Sequence, residues 1–244
     1  MNSLLSQFVV YEPKNTKIRL GSFGDGGYVI VDGYDYDFYI GCGVGGNIKF
    51  DCDFIDKHQN INGVAFDGNI NHAPPFPNKI SFVRKNIGTS KNENETDLMD
   101  ETANYNNIFI KMDIEGHEWK WINAFNNLSK IKQLVLEVHG LFDTNPDGWM
   151  SIGNYEYQEI IDAIAKLNTT HHLVHFHSND AALYKVVDGF DVPTVGELTF
   201  IRKTDCEING LNKTKLPIDG LDCVNGNDRP PLSFSYYPFC SCSA

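Results

Sequence analysis

Apolar residues in this chain fall into short runs separated by longer, helix-spaced patterns. The β-branched or aromatic runs at 37–41, 62–67, 79–84, 107–112, 132–138, 172–177 and 196–202 predict seven strands. Helical spacing appears near 48–59, 95–103, 117–127 and 154–167. In the first of these Phe50, Phe54 and Ile55 recur on one face; in the last, Tyr155, Ile160, Ile161, Ile164 and Leu167 do. Strands alternating with helices imply a mostly parallel sheet with helices on both faces, a Rossmann-like α/β fold. Residues 69–78 carry Pro74, Pro75 and Pro77 and read as a loop. The pattern divides the chain into an N-terminal segment over 1–36, an α/β domain over 37–203 and an extension over 204–244. The extension is rich in Pro, Gly, Asn and Asp and reads as irregular, wrapping the domain or partly disordered.

The first predicted strand stops abruptly in Gly41-Cys42-Gly43-Val44-Gly45-Gly46. Glycines at such a turn let the backbone approach a ligand, and the helix that follows offers free N–H groups and a positive dipole end. The second strand ends at Asp67, about twenty residues on, where a carboxylate can accept hydrogen bonds from two ribose hydroxyls. Strand, glycine turn, helix and acid together point to a nucleoside-containing cofactor.

In a doubly wound sheet, ligands lie outside the carboxyl ends of the strands. The fourth strand ends in Lys111-Met112-Asp113-Ile114-Glu115-Gly116, the fifth in Glu137-Val138-His139, and the sixth in His175-Phe176-His177. If the chain stays extended after the fourth strand, Asp113 and Glu115 point to one side. Paired carboxylates repel and lose hydration, so they are uncommon without a use. Aromatic residues Trp119, Trp121, Phe142, Trp149, Tyr155 and Tyr157 cluster in or beside the loops after the fourth and fifth strands. They either offer faces on which sugar rings stack or, for Trp119 and Trp121, form part of the core.

The 244 residues suffice for one large domain, and 41% hydrophobic with 21% charged residues is an ordinary globular composition. A net charge of −12 disfavours a broad phosphate-backbone footprint, so nucleic acid is not an expected partner. No run of eighteen apolar residues predicts a membrane span. Residues 1–11 lack the basic and apolar regions of a secretory signal, which places the chain by default in the cytoplasm. In a reducing compartment the six cysteines read as free thiols, and Cys240-Ser241-Cys242 lacks the spacing of a zinc knuckle. Nothing in the pattern specifies an oligomeric state.

Several of these pieces recur in a fixed order: Arg19-Leu20-Gly21, Gly24-Asp25-Gly26-Gly27-Tyr28, the Gly41–Gly46 turn, Phe66-Asp67-Gly68, Lys85-Asn86-Ile87-Gly88, Lys111 to Gly116 and Glu137-Val138-His139. In this combination the sequence resembles the FkbM-like class I S-adenosylmethionine-dependent methyltransferases, in particular the branch with an N-terminal Gly-Asp-Gly-Gly-Tyr segment. The resemblance covers about residues 17–203. It implies a seven-stranded methyltransferase sheet with the last strand antiparallel. It places the turn of Gly41, Cys42, Gly43 and Gly45 under the methionine end and ribose of the cofactor. Asp67, with Gly68 beside it, would hold the ribose hydroxyls, Asn86 and Ile87 would flank the adenine, and Asp113 would stand near the reacting methyl. Asp25, with Gly26, Gly27 and Tyr28, would join the cofactor site, Asp25 accepting from the α-ammonium. The proline loop and the C-terminal extension lie outside the resemblance.

The expected activity is methyl transfer from S-adenosyl-L-methionine to a hydroxyl of a small molecule, above all a sugar or glycan. A sugar hydroxyl is a poor nucleophile near neutral pH and needs a general base or a metal. His139 or His177 could serve as base beside Asp113 and Glu115. Alternatively Asp113, Glu137 and His139 could hold Mg²⁺ or Mn²⁺. Two rival functions stand beside this one. An NAD-dependent oxidoreductase would account for Gly41–Gly46 and Asp67 but not for the acids and histidines. A non-catalytic binding module on the same scaffold would leave those groups without a task.

Overall fold

The computed structural model describes residues 4–226 and 231–242; the outermost ends of the N-terminal segment and of the extension, and 227–230 within it, lie outside the described residues. Seven strands form the central sheet: β1 (Phe38–Cys42), β2 (Gly63–Phe66), β3 (Ile80–Val83), β4 (Ile108–Met112), β5 (Ile131–His139), β6 (His171–Ser178) and β7 (Val195–Arg202). Their spatial order is β6-β7-β5-β4-β1-β2-β3. Neighbours run parallel except β7, which is antiparallel to both β5 and β6. This is a seven-stranded, mostly parallel, Rossmann-like α/β sheet whose last strand is reversed, the arrangement the resemblance implies. The chain leaves β1 toward β2 on one side and returns to β4 on the other, so the topological switch point lies between β1 and β4.

Strand alternation sends side chains to two distinct cores. Ile40, Ile110, Leu134 and Leu136 face α2 (Glu118–Ala124) and α4 (Tyr157–Thr170), where Trp119, Trp121, Ile160 and Leu167 are buried. Tyr39, Phe109 and Val135 face α1 (Lys49–Lys57) and an N-terminal hairpin, Lys17–Gly21 paired with Gly27–Val31. Phe54, one helical turn after Phe50, lies 4.1 Å from the ring of Phe109, so α1 docks through the face its spacing predicts. A short helix, α3 (Trp149–Gly153), precedes α4 and was not legible as a separate element. Asn154, in the left-handed region, ends it. Glu156 then caps α4 in a reciprocal capping box with Glu159, which is why that helix begins at 157 rather than 154.

Three expectations need correction. Residues 97–104 form turns, not a helix. Leu98 sits at φ +64°, and Thr102 Oγ1 donates to the Leu98 and Met99 carbonyls, a local side-chain bond that competes with helix continuation. The extension is more ordered than its composition suggests: Ile208–Leu211 pairs antiparallel with Tyr11–Pro13, tying it to the N-terminal segment. Cys240 and Cys242 are joined in a disulfide, whereas Cys42, Cys52, Cys206 and Cys223 are free thiols. Among the described residues no helix is long and apolar enough to cross a membrane.

Candidate active site

A cavity of about 740 Å³ opens at the switch point, within the size range of small-molecule sites. Its floor is the turn after β1. Gly43 and Gly45 take φ of +69° and +56°, and a Cβ on Gly43 would overlap the Asp113 carbonyl oxygen. Only glycine therefore lets the turns after β1 and β4 touch. Gly46 faces open space. Asp67 and Gly68 line the wall after β2, and Asn86 and Ile87 the wall after β3. Asp25 and Gly26, from the turn of the N-terminal hairpin, close another side. Asp113 and Glu115 border it at the end of β4.

Asp67 already has work within the fold. Its Oδ2 accepts from Gly45 N at 2.9 Å, and its Oδ1 from Asn69 N and Ile70 N at 2.8 and 3.2 Å. A carboxylate has about four acceptor directions, so one remains, on Oδ2. That suffices for one hydroxyl rather than the expected two. The other cofactor candidates lie behind the cavity wall. Gly41 and Cys42 belong to β1, where a Cβ on Gly41 would crowd the Asp51 carboxylate bonded to Tyr39. Gly27 and Tyr28 are buried in the hairpin, and Arg19 and Ser22 leave Gly27 no room for a side chain.

Beyond Asp113 the cavity adjoins a buried polar cluster. The period-two alternation of β4 and β5 brings Asp113, Glu137 and His139 together, with one ligand atom from each lying within 4.8 Å of the others. Tyr28 Oη reaches Asp113 Oδ2 at 3.4 Å and Glu137 Oε2 at 3.3 Å. Asn179 Nδ2 donates to Glu137 Oε1 at 3.0 Å. The other oxygen of Asp113, Oδ1, is buried and has no hydrogen-bond partner. His139 is oriented by a fully buried acid: Glu118 Oε1 lies 3.2 Å from His139 Nδ1 and also accepts from Ile114 N and Gly116 N. Trp119 Nε1 and Tyr155 Oη donate to the His139 carbonyl, and the Trp149 ring packs 4.5 Å from the imidazole.

Electrostatics follow from this crowding. Burial raises the Asp113 carboxyl, against the pull of Lys111 and His139. Glu137 is pushed up to about 8 by burial, reinforced by the charges of Asp113 and Glu197. Burial pulls His139 down, but the hydrogen bond and charge of Glu118, with Glu137 and Asp113, carry it up to about 9. Lys111, which donates to the Gly43 carbonyl at 2.7 Å, is the nearby lysine.

Two catalytic expectations change. Strand β4 ends at Met112 and Glu115 adopts φ +54°, so Asp113 and Glu115 do not share an extended side. Glu115 instead swings out, largely exposed, with Oε2 3.6 Å from His139 Nε2. His177 stands two strands beyond β5, because β7 inserts between β5 and β6. It pairs with Glu197, Nδ1 to Oε2 at 3.3 Å, and does not border the cavity. Glu197 itself, directly opposite Glu137 in the β5–β7 ladder, was missed. A single acid inside the apolar run Val195 to Ile201 was the signal for it. The aromatic platform also contracts. Trp119, Trp121, Phe142 and Tyr155 are core residues, leaving Trp149 and Tyr157 partly exposed.

No family model and no curated protein matches this sequence. Among solved structures, the chain aligns with one in a fibrillarin/Nop5p complex at 12% identity and a TM-score of 0.42, covering 71% of this chain and 76% of that one. It aligns with a precorrin-6y C5,15-methyltransferase from Geobacter metallireducens at 12% identity and a TM-score of 0.37, covering 69% and 81%.

Proposed function

We propose that this protein is an S-adenosyl-L-methionine-dependent O-methyltransferase whose Asp113, Glu137 and His139 hold a divalent cation, Mg²⁺ or Mn²⁺, beside the cofactor cavity. One observation carries the reading: a cluster of two carboxylates and a histidine, with Glu137 and His139 buried and one buried oxygen of the half-buried Asp113 unpartnered, at the edge of a cavity at the switch point of this sheet. The residues fit a hard cation. Two are oxygen donors, and with Nδ1 of His139 turned to Glu118, Nε2 is left facing the carboxylates, an arrangement common among metal-bound histidines. The 4.8 Å span is a little wider than the roughly 4 Å between opposite ligands of an octahedral ion.

S-adenosylmethionine supplies a methyl made electrophilic by its sulfonium, and a bound cation supplies polarisation of the acceptor hydroxyl. The chain's own residues supply position and water exclusion. Gly43 and Gly45 bring backbone under the cofactor, Asp67 Oδ2 offers one acceptor to the ribose, and Asn86 and Ile87 flank the far end. Tyr28 shields the cluster from one side, and Trp149 packs on His139 from another. Their burial favours a charge-neutralising ligand, since adjacent carboxylates in a dry site repel. As bases, His139 and His177 are less suited: His139 is hydrogen-bonded to Glu118, and His177 faces Glu197 and does not border this cavity. A sugar or glycan hydroxyl is the acceptor favoured by the resemblance, with Trp149 as the remaining aromatic face.

The test is a glycan panel incubated with methyl-labelled cofactor. Transfer should be lost with EDTA and restored by Mg²⁺ or Mn²⁺, and Asp113→Asn should lower turnover by about 10²-fold or more. Transfer indifferent to EDTA, with a pH–rate limb that is lost in His139→Ala, would return the proton-accepting role to His139.

A further inference from the structure

The face of β5, β7 and β6 beneath the hairpin carries a row of polar side chains at one level: Glu137, Glu197 and His177, beside Asp113 just after β4. Glu137 is the direct cross-strand partner of Glu197, and Glu197 of His177. Directly opposed like charges destabilise a ladder, and both glutamates are almost fully buried. If the Glu197 carboxylate leaned toward Glu137, it would compete for Asn179 and displace the oxygens of the cluster. It does not lean that way. Glu197 Oε1 accepts from Asn225 Nδ2 at 2.8 Å, and Oε2 faces His177. Asn225 comes from the C-terminal extension, the part of the chain outside the family resemblance.

The asparagine that holds Glu137 and the one that holds Glu197 are joined through a single acid. Asn179 donates to Glu137 Oε1, and the next residue, Asp180, accepts through Oδ1 from Asn225 N at 2.6 Å and Gly226 N at 2.9 Å. Nearby, Asp222 of the same extension bonds His175 Nε2 at 2.7 Å and caps Ile218 N, fixing the segment to β6. Arg19 of the hairpin adds a bond to the Leu221 carbonyl at 3.3 Å.

We infer that Asn179, Asp180 and Asn225 form a brace by which the C-terminal extension positions Glu137 for its cation, holding Glu197 on His177 and away from it. These are positioning residues, and the inference rests on the cation reading above. It requires the extension to be a working part of the site, not merely a cover.

The test compares Mn²⁺ binding to the full chain, read from the electron paramagnetic resonance signal of free Mn²⁺, with S-adenosylhomocysteine affinity measured alongside. Asn225→Ala and Asp180→Ala should each weaken Mn²⁺ binding by about tenfold or more, the usual scale for losing a residue that orients a metal ligand. Asp180→Asn keeps an acceptor for both N–H groups and should stay near wild type, and S-adenosylhomocysteine affinity should hardly move. Wild-type Mn²⁺ affinity in Asn225→Ala, or equal losses in Asp180→Asn and Asp180→Ala, would overturn the brace. If Asn225→Ala does not fold, the Asp180 pair carries the comparison. If the wild type itself binds no Mn²⁺, the cation reading fails, and crystal structures of wild type and Asp180→Ala decide the brace. Glu197 turned toward Glu137 in the variant supports it, and an unmoved Glu197 rejects it.

Discussion

At the scale of single residues, the glycines of the first turn are not equivalent. Gly43 is required twice, by its positive φ and by the Asp113 carbonyl where its Cβ would stand. Gly43→Ala should cost at least about 2 kcal/mol in urea unfolding, while Gly46→Ala, facing open space, should stay within about 0.5 kcal/mol. Equal effects would show that the turn relaxes. His171 carries a pH prediction. It is buried, its Nε2 bonds the Ile131 carbonyl at 2.9 Å, and burial holds its pKa down at about 4. The unfolded chain takes up that proton near pH 6.5 and the folded chain does not, so stability is full above 6.5 and falls as pH drops toward 4. Between pH 7 and 5 His171 should contribute a loss of about 2 kcal/mol, read as the difference between the pH–stability curves of wild type and His171→Gln. The sequence marked Asp113, Glu137 and His139 because polar residues closing apolar strands stand out by type. It could not mark Asp67's prior bonds or Glu115's left-handed turn, which depend on backbone angles set by neighbours. Nor could it show that Trp119 and Trp121 face inward, since a tryptophan reads the same on either face of a short helix.

At the scale of elements, the N-terminal hairpin is the piece whose role changes most on seeing the structure. Its Tyr28 and Ile30 are buried against β4 and β5, so it is core as well as wall of the cavity. Its turn is held by Arg19, which donates to the Ser22, Gly24 and Leu221 carbonyls. Arg19→Ala should loosen the turn that carries Asp25 and Gly26 and weaken S-adenosylhomocysteine binding by about tenfold, with a smaller change in melting temperature. Unchanged affinity would mean that the turn borders the cavity without contributing to binding. All seven sheet strands were legible because strands of a covered sheet are dense apolar runs bounded by turns. The turn at 97–104 was misread as a helix because its composition allows one, while Leu98's left-handed backbone and the Thr102 side-chain bonds oppose it. The strand at 208–211 was hidden because its partner, Tyr11–Pro13, lies almost two hundred residues away.

At the scale of the whole molecule, the order of the sheet decides where chemistry can occur. Reversal at β1 and β4 opens the cavity, and insertion of β7 between β5 and β6 moves His177 out of reach while bringing Glu197 beside Glu137. Neither consequence is written in local sequence; both follow from which strands become neighbours. The proposed function requires this cavity to receive S-adenosylmethionine. Isothermal titration with S-adenosylhomocysteine and, separately, NAD⁺ tests it most directly. S-adenosylhomocysteine should bind and, at a hundredfold excess over its dissociation constant, stabilise the chain by about 2.7 kcal/mol, while Asp67→Ala should weaken it by about 1–3 kcal/mol. Clear binding of NAD⁺ with no heat from S-adenosylhomocysteine would rule out S-adenosylmethionine as the cofactor of this cavity.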